Sequence, residues 1–241
     1  MSKQELDRRD FLKGAVVGGT AAVGTAAMAP ADMAQAQQLA GAANSAGSSA
    51  AGYVFLDLEE AAFVEALVDH MVPADDLTPK GTDLGINIYI DRALAGGWGK
   101  GDRLYMQGPW KPGVPSQGYQ LPLTPAQLYR AGIEATNAHC NKIYGKSFDR
   151  LDASQREEVL VGLSSAKISF DNGLPVRVFW ATLYQTVMEG MFSDPIYGGN
   201  RDKAGWRMIG FPGVIAVHRD HVEKYRGKPF SNTPLGIADM S

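Results

Sequence analysis

Two histidines stand at a spacing that could hold a metal ion. His218 and His221 are separated by two residues, so both imidazoles would share one face of a helix. Zinc or iron sites need at least a third ligand, for which Asp220 and Glu223 are candidates. The segment also carries Arg219 and other basic side chains, and this charge favours a solvated polar surface over a metal site.

Cys140 is the single cysteine of the chain. One thiol cannot form an intrachain disulfide, a c-type haem attachment, a cysteine-ligated iron–sulfur cluster or a cysteine zinc site. Cys140 follows Ile133 in a helical pattern, which predicts a small buried side chain. His139 is poorly placed as its base, because adjacent residues on a helix point about 100° apart.

The remaining motifs of cofactor chemistry are incomplete. The segment Gly97 to Asp102 approaches a dinucleotide-binding motif, but it lacks the third glycine and follows no predicted strand. No phosphate-binding glycine–lysine loop and no nucleophile elbow is present in the sequence. Asp194 stands beside Pro195 in a turn, where an aspartate typically caps backbone N–H groups. We therefore predict no catalytic, cofactor-binding or metal-binding residue in this chain.

Capping signals organise the middle of the chain. Asp57, Thr124 and Asp152 each precede a Glu or Gln by three residues, the pattern that starts a helix. Residues 83–95 fit either a strand or a helix, and the helix is favoured because no pairing partner lies nearby. The predicted helices span 57–72, 83–95, 124–143, 152–163, 174–192 and 204–208.

The helix at 174–192 is apolar around most of its circumference, so it should lie at the centre of the fold or be covered by a partner. No run of strands would form a sheet core. We therefore predict a mainly α protein, with a single irregular helical domain at 55–226 and long loops rich in glycine, proline and aromatic residues. An extended C-terminal arm, 227–241, follows this domain.

Residues 96–122 form an unusual segment. Seven glycines and four prolines fall within these twenty-seven residues, so no regular element fits. The segment also holds Trp98, Trp110 and Tyr119, and such rings need burial. Two interpretations remain open: the loop packs on its own domain, or it lies across another subunit.

The N-terminal residues 1–36 predict a twin-arginine export signal. Its motif consists of Arg8, Arg9, Phe11, Leu12 and Lys13. A weakly apolar run follows, and we expect cleavage after Ala36, with Ala34 as the other small residue of the site. A flexible leader, 37–54, would then precede the domain. This route carries folded proteins, commonly with a cofactor already inserted, so the missing cofactor motif indicates that the cofactor belongs to a partner.

The charge and hydropathy of the chain limit its partners. The formal net charge is −3, and no basic block is present, so we predict no binding of nucleic acid. No long apolar run follows the signal. We therefore expect contact with the membrane only through a complex.

Residues 192–213, here called the turn block, contain the most specific motif. The block opens with Phe-Ser-Asp-Pro-Ile-Tyr-Gly-Gly-Asn and continues through Trp206 to the tight turn at 210–213. It resembles the gluconate 2-dehydrogenase subunit 3 family, the small subunits of bacterial membrane-associated flavin dehydrogenases. Weaker likenesses at 69–75 and 108–125 support it, and the resemblance extends over residues 55–215.

The resemblance implies a complex of three parts. A large subunit carries FAD and oxidises a sugar or sugar acid, and a multihaem cytochrome c subunit takes the electrons towards quinone. The small subunit carries the signal for the twin-arginine translocase, exports its partner to the periplasm and holds no catalytic groups. The substrate stays open, since gluconate, 2-ketogluconate, glucose and other polyols are oxidised by related large subunits.

We expect the partner interface on the two turn-rich segments, because aromatic side chains commonly anchor interfaces. The candidate interface residues are Trp98, Trp110, Tyr119, Phe192, Asp194, Pro195, Tyr197, Gly198, Gly199, Asn200, Trp206, Phe211 and Pro212. Two competing functions remain. One is a stand-alone periplasmic metal-dependent enzyme using His218 and His221. The other is a small-molecule binding module with the 96–122 loop as its lid.

Overall fold

The computed structural model is mainly helical and describes residues 52–108, 110, 117–215, 217–230 and 232–240. Its α-helices are α1 (Leu58–Met71), α2 (Ile86–Ala95), α3 (Pro125–Tyr144), α4 (Ala153–Ser164), α5 (Val176–Phe192), α6 (Ala204–Ile209) and α7 (Arg219–Lys224). Short 3-10 helices lie at Phe148–Arg150, Pro195–Tyr197, Arg201–Lys203 and Ile237–Met240. The predicted mainly α class is confirmed. The predicted signal and cleavage site, with most of the leader, lie outside the described residues.

Helix starts follow the capping signals. The Asp57 carboxylate accepts the backbone N–H groups of Glu59 and Glu60, and the Glu60 side chain accepts the N–H of Asp57 in return. The same reciprocal pair is present at the starts of α3 and α4. Residues 86–95 form a helix, so the favoured interpretation of that ambiguous segment is confirmed.

Helix α5 lies at the centre of the fold, packed against α2, α3, α4 and α6. Phe179 is fully buried, and a Cβ on Gly132 of α3 would overlap its ring. The Tyr129 hydroxyl hydrogen-bonds to the Thr186 hydroxyl across the same interface. Burial within this chain therefore explains the part of the α5 circumference that includes Phe179, whereas Tyr184 on the same helix is 48% exposed.

Two aromatic rings of the 96–122 loop pack on its own domain, whereas Tyr105 is 78% exposed. The rings of Trp98 and Tyr119 contact the core, and the Tyr119 hydroxyl donates to the Leu123 carbonyl at 2.6 Å. Burial of this ring raises the pKa of Tyr119 to about 12. The interpretation that the loop packs on its own domain therefore holds for these two rings. Residues 109 and 111–116 lie outside the described part.

Asp91 fixes the segment that precedes α1. Its carboxylate is 1% exposed and accepts the backbone N–H groups of Val54, Phe55 and Leu56 at 2.7, 2.8 and 2.9 Å. Val54 was assigned to the leader from sequence, and the structure instead holds it against α2. The physical reason is this carboxylate, which satisfies three consecutive N–H groups that have no helix or sheet partner.

Replacing Asp91 with Ala should lower the free energy of unfolding by about 3 kcal/mol, because one buried and two partly buried N–H groups lose a charged acceptor. Urea denaturation followed by circular dichroism measures this. The control is Asp76→Ala at an exposed site, which should change stability by less than about 0.5 kcal/mol. Equal stabilities of the two variants would show that Asp91 does not hold the N-terminal segment.

Candidate partner interface

The turn block is built around the buried side chain of Asn200. Asn200 is fully buried with φ 47°, a left-handed conformation that asparagine tolerates. Its Nδ2 donates to the Ser193 carbonyl at 2.9 Å, and its Oδ1 accepts the Gly205 N–H at 2.9 Å. One amide thereby ties the end of α5 to the start of α6.

The glycines of the turn block let it approach other backbone directly. A Cβ on Gly199 would overlap the carbonyl oxygen of Gly190 in α5. A Cβ on Gly85, just before α2, would overlap the carbonyl oxygen of Gly198. The Arg201 N–H also donates to the Leu84 carbonyl at 3.0 Å. The block is therefore seated against both α5 and the start of α2.

Trp206 supports the block from inside. Its ring is 5% exposed, and its Nε1 donates to the Phe192 carbonyl at 2.6 Å. The Phe211 ring packs edge-on against it, with 5.2 Å between ring centroids. Trp206 thus serves the packing of its own domain and supports the more exposed Phe211.

Asp194 joins the C-terminal arm to the turn block. Its carboxylate accepts the Ile196 N–H at 3.0 Å and the Ile237 N–H at 2.8 Å. The arm is also fixed by an ion pair between Lys203 and Asp239, with 2.5 Å between Nζ and Oδ2. The arm was predicted to be extended, but its end closes into the 3-10 helix Ile237–Met240 because these side chains capture it.

Seven large apolar side chains on these connected segments are exposed, and we call this set the apolar face. Its large side chains are each between 43% and 56% exposed. They lie on segments connected by the Asp194 hydrogen bonds, the Trp206–Phe211 contact and the backbone bridge between Gly213 and Leu235. The members of the apolar face are Ile196, Tyr197, Ile209, Phe211, Leu235, Ile237 and Met240.

A family comparison identifies the sequence that carries most of this arrangement. The sequence model described as gluconate 2-dehydrogenase subunit 3 matches residues 58–213, more than half of the chain. The chain belongs to the gluconate 2-dehydrogenase subunit 3 family. Comparisons with curated proteins and with solved structures gave no match. The family match ends at residue 213, the last residue of the turn block. Membership of this family supports assignment of the chain as an accessory subunit of a dehydrogenase complex.

The structure divides the interface residues predicted for this family member into two groups. Tyr197 and Phe211 are exposed, whereas Asp194, Gly199, Asn200 and Trp206 are buried and make the internal contacts described above. The partly buried residues are Trp98, Trp110, Tyr119, Phe192, Pro195, Gly198 and Pro212. Hydrogen bonds and ring contacts bring the turn-block residues together. Among the described residues, no hydrogen bond connects them to Trp98, Trp110 or Tyr119.

Sequence reasoning missed the part of the apolar face that the arm supplies. Leu235, Ile237 and Met240 lie beyond the family match, in a segment with no periodic pattern. The only sequence signal was the apolar character of these residues close to the chain end. Their placement depends on Asp194, 43 residues earlier than Ile237.

The two histidines of the subunit belong to an aromatic cluster. The His221 ring lies 5.9 Å from the His218 ring and 5.1 Å from the Phe230 ring, measured between centroids. Tyr225 completes the cluster. Within the part of the chain that the structure describes, no group of three or more His, Cys, Asp or Glu residues could hold a metal ion. The third ligand required by the metal-enzyme hypothesis is therefore not found there.

Cys140 is fully buried in α3, which confirms the predicted small buried side chain. Burial raises the pKa of its thiol to about 11, so the thiol stays protonated near neutral pH. Among the helices of the described ranges, none combines the length and the apolar character needed to cross a membrane.

Gly199→Ala should lower the free energy of unfolding by about 3 kcal/mol, because the added methyl group meets a backbone oxygen that cannot move aside alone. Gly210→Ala is the matched control. Gly210 has φ 70° with open space around it, so only left-handed strain of about 1 kcal/mol is expected. Chemical denaturation of both variants measures the difference. Equal losses would contradict the close seating of the turn block on α5.

Proposed function

We propose that this chain is the non-catalytic small subunit of a periplasmic FAD-dependent dehydrogenase of sugars or sugar acids. It docks on the flavoprotein subunit and carries that subunit through the twin-arginine translocase. FAD belongs to the large subunit, and haem c to a multihaem cytochrome c subunit. Contact with the inner membrane runs through the assembled complex at its periplasmic face.

The observation that carries this proposal is the apolar face, four of whose seven members lie on the turn block inside the family match. Exposed apolar patches on soluble proteins commonly mark binding surfaces. Covering a half-exposed isoleucine such as Ile196 or Ile237 recovers roughly 1 kcal/mol, and Tyr197 and Phe211 add the rigid aromatic area typical of interface anchors. Several such contacts together support a stable complex.

The internal hydrogen bonds of the turn block favour a role in docking rather than in catalysis. The polar side-chain atoms of Asn200 and Asp194 are hydrogen-bonded to backbone groups of the same chain, so neither side chain is free to act on a substrate. A pre-organised surface loses little conformational entropy on binding, which favours affinity. Binding the folded flavoprotein also stabilises it by mass action before export.

The export role rests on the N-terminal sequence. Arg8-Arg9 followed by Phe11-Leu12-Lys13 fits the twin-arginine motif, and that route accepts folded cargo. A flavoprotein that binds its FAD in the cytoplasm is cargo of this kind. One signal on the small subunit would serve both chains when the apolar face is occupied.

The double substitution Arg8→Lys, Arg9→Lys should strand the flavoprotein in the cytoplasm, because it removes the paired guanidinium groups and keeps their charge. Cell fractionation with immunodetection of both subunits and assay of bound flavin measures this. Lys3→Gln is the control, since it lies outside the motif and should leave export unchanged.

A periplasmic flavoprotein in the double variant would contradict the export role. The non-catalytic role has a separate test. If the purified chain, free of other subunits, oxidised an aldose or aldonate with an artificial electron acceptor, the accessory assignment would fail.

A further inference from the structure

A small cleft borders the apolar face at Tyr197. Its volume is about 240 Å3, and it is lined by Tyr89, Arg92, Ala93 and Tyr197. The lining therefore offers one guanidinium and two phenol rings, and no carboxylate belongs to it. Neither the family motif nor the capping pattern explains why these side chains meet.

Gly198 makes room for the guanidinium of this cleft. A Cβ at Gly198 would lie 3.1 Å from Nη1 of Arg92 and 3.2 Å from Cγ2 of Ile88. Gly198 also has φ 108°, which other residues rarely adopt. The Arg92 side chain is thereby laid against the backbone of the turn block and held beside Tyr197.

The cleft presents hydrogen-bond donors that have no partner among the described residues. Among the described residues, Arg92 makes no ion pair within 4.0 Å and the Tyr197 hydroxyl makes no hydrogen bond. The nearby Glu189 carboxylate is already engaged by the Tyr89 hydroxyl at 3.1 Å and by Nε2 of Gln185 at 2.7 Å. The donors of Arg92 and Tyr197 therefore remain available.

A second guanidinium adds to the positive charge at this site. A Cβ built on Gly85 would overlap the Gly198 carbonyl oxygen. The same Cβ would lie 3.6 Å from Nη2 of Arg201. Arg201 is exposed and also lacks an ion pair among the described residues. Arg201 thus lies near the contact between Gly85 and Gly198, and the planar guanidinium of an arginine matches the geometry of carboxylates and phosphates.

We propose that this cleft receives an Asp or Glu side chain of the flavoprotein subunit, with Arg92 forming the ion pair and Tyr197 donating a second hydrogen bond. The inference rests on the proposed function and specifies the chemistry of its contact. A protein side chain fits better than a free sugar acid because Tyr197 belongs to both the cleft and the apolar face.

The test measures the affinity of the full-length chain for its co-expressed FAD-containing subunit, with wild type, Arg92→Ala and Tyr197→Phe. Arg92→Ala should weaken binding by about tenfold or more, and Tyr197→Phe by severalfold, because each loses a hydrogen bond to a charged group. The wild-type affinity should fall with rising salt, and this dependence should be weaker in Arg92→Ala.

Arg177→Ala is the matched control. Arg177 is also an exposed arginine without an ion pair among the described residues. It lies in the first turn of α5, at the opposite end of the helix from the turn block. Its removal should leave the affinity unchanged. Thermal unfolding of each variant confirms that the fold is intact.

A second measurement identifies the bound group. Arg92→Lys places a primary amine in the cleft, and a carbodiimide joins an amine to a contacting carboxylate as an amide. Mass spectrometry of the treated complex should find position 92 linked to an Asp or Glu of the flavoprotein. If no such link forms, the occupant is not an acidic side chain.

The outcomes separate this inference from the proposed function. If the wild-type chain does not bind the flavoprotein at all, the proposed function fails, and the cleft inference fails with it. If wild type binds and Arg92→Ala binds within twofold of it, only the cleft inference is overturned. If gluconate raises the melting temperature of the isolated wild-type chain but not of Arg92→Ala, the cleft is a small-molecule site instead.

Discussion

The structure depends on a backbone-to-backbone contact that only glycine permits. Gly199 lies against the carbonyl of Gly190, and Gly198 brings its own carbonyl against Gly85. These contacts seat an irregular segment on the two helices α5 and α2 without intervening side chains. The position of Asn200, the capture of the arm by Asp194 and the exposure of Tyr197 all follow from that seating.

Buried polar side chains take the place of a sheet in this fold. Its irregular segments contain backbone N–H groups that have no ladder partner, and each must be satisfied on burial. Asp91 does this for residues 54–56, Asn200 for Gly205, and Asp194 for Ile196 and Ile237. Asp91 and Asp194 join segments that are far apart in the sequence, and Asn200 joins the end of α5 to the start of α6, so the loss of any of them would loosen more than a single contact.

Local patterns were sufficient to predict three helix starts, whereas the short helix α7 was not predicted. Capping boxes at Asp57, Thr124 and Asp152 mark helix starts within the same few residues that form them, so sequence reveals them directly. The link between Asp91 and Val54 spans 37 residues and has no periodic signal. It could not be predicted because it depends on how α1 and α2 pack.

The turn-block motif predicted the family but not the use of each residue. Trp206 and Phe211 are both aromatic and close in sequence, yet the first is buried and the second is 43% exposed. An aromatic residue in the sequence does not distinguish a core position from a binding position, because both favour large rings. The sequence did not indicate a binding role for Arg92, because that role depends on the space that Gly198 leaves beside its guanidinium.

Hydrogen–deuterium exchange of the chain, free and in complex with its flavoprotein subunit, tests the central claim most directly. The account predicts that slowed exchange on binding concentrates in residues 195–211 and 232–240, with α3 and α4 unchanged. Protection confined to α3 and α4, with exchange in the turn block and arm unaltered, would contradict the assignment of the apolar face as the docking surface.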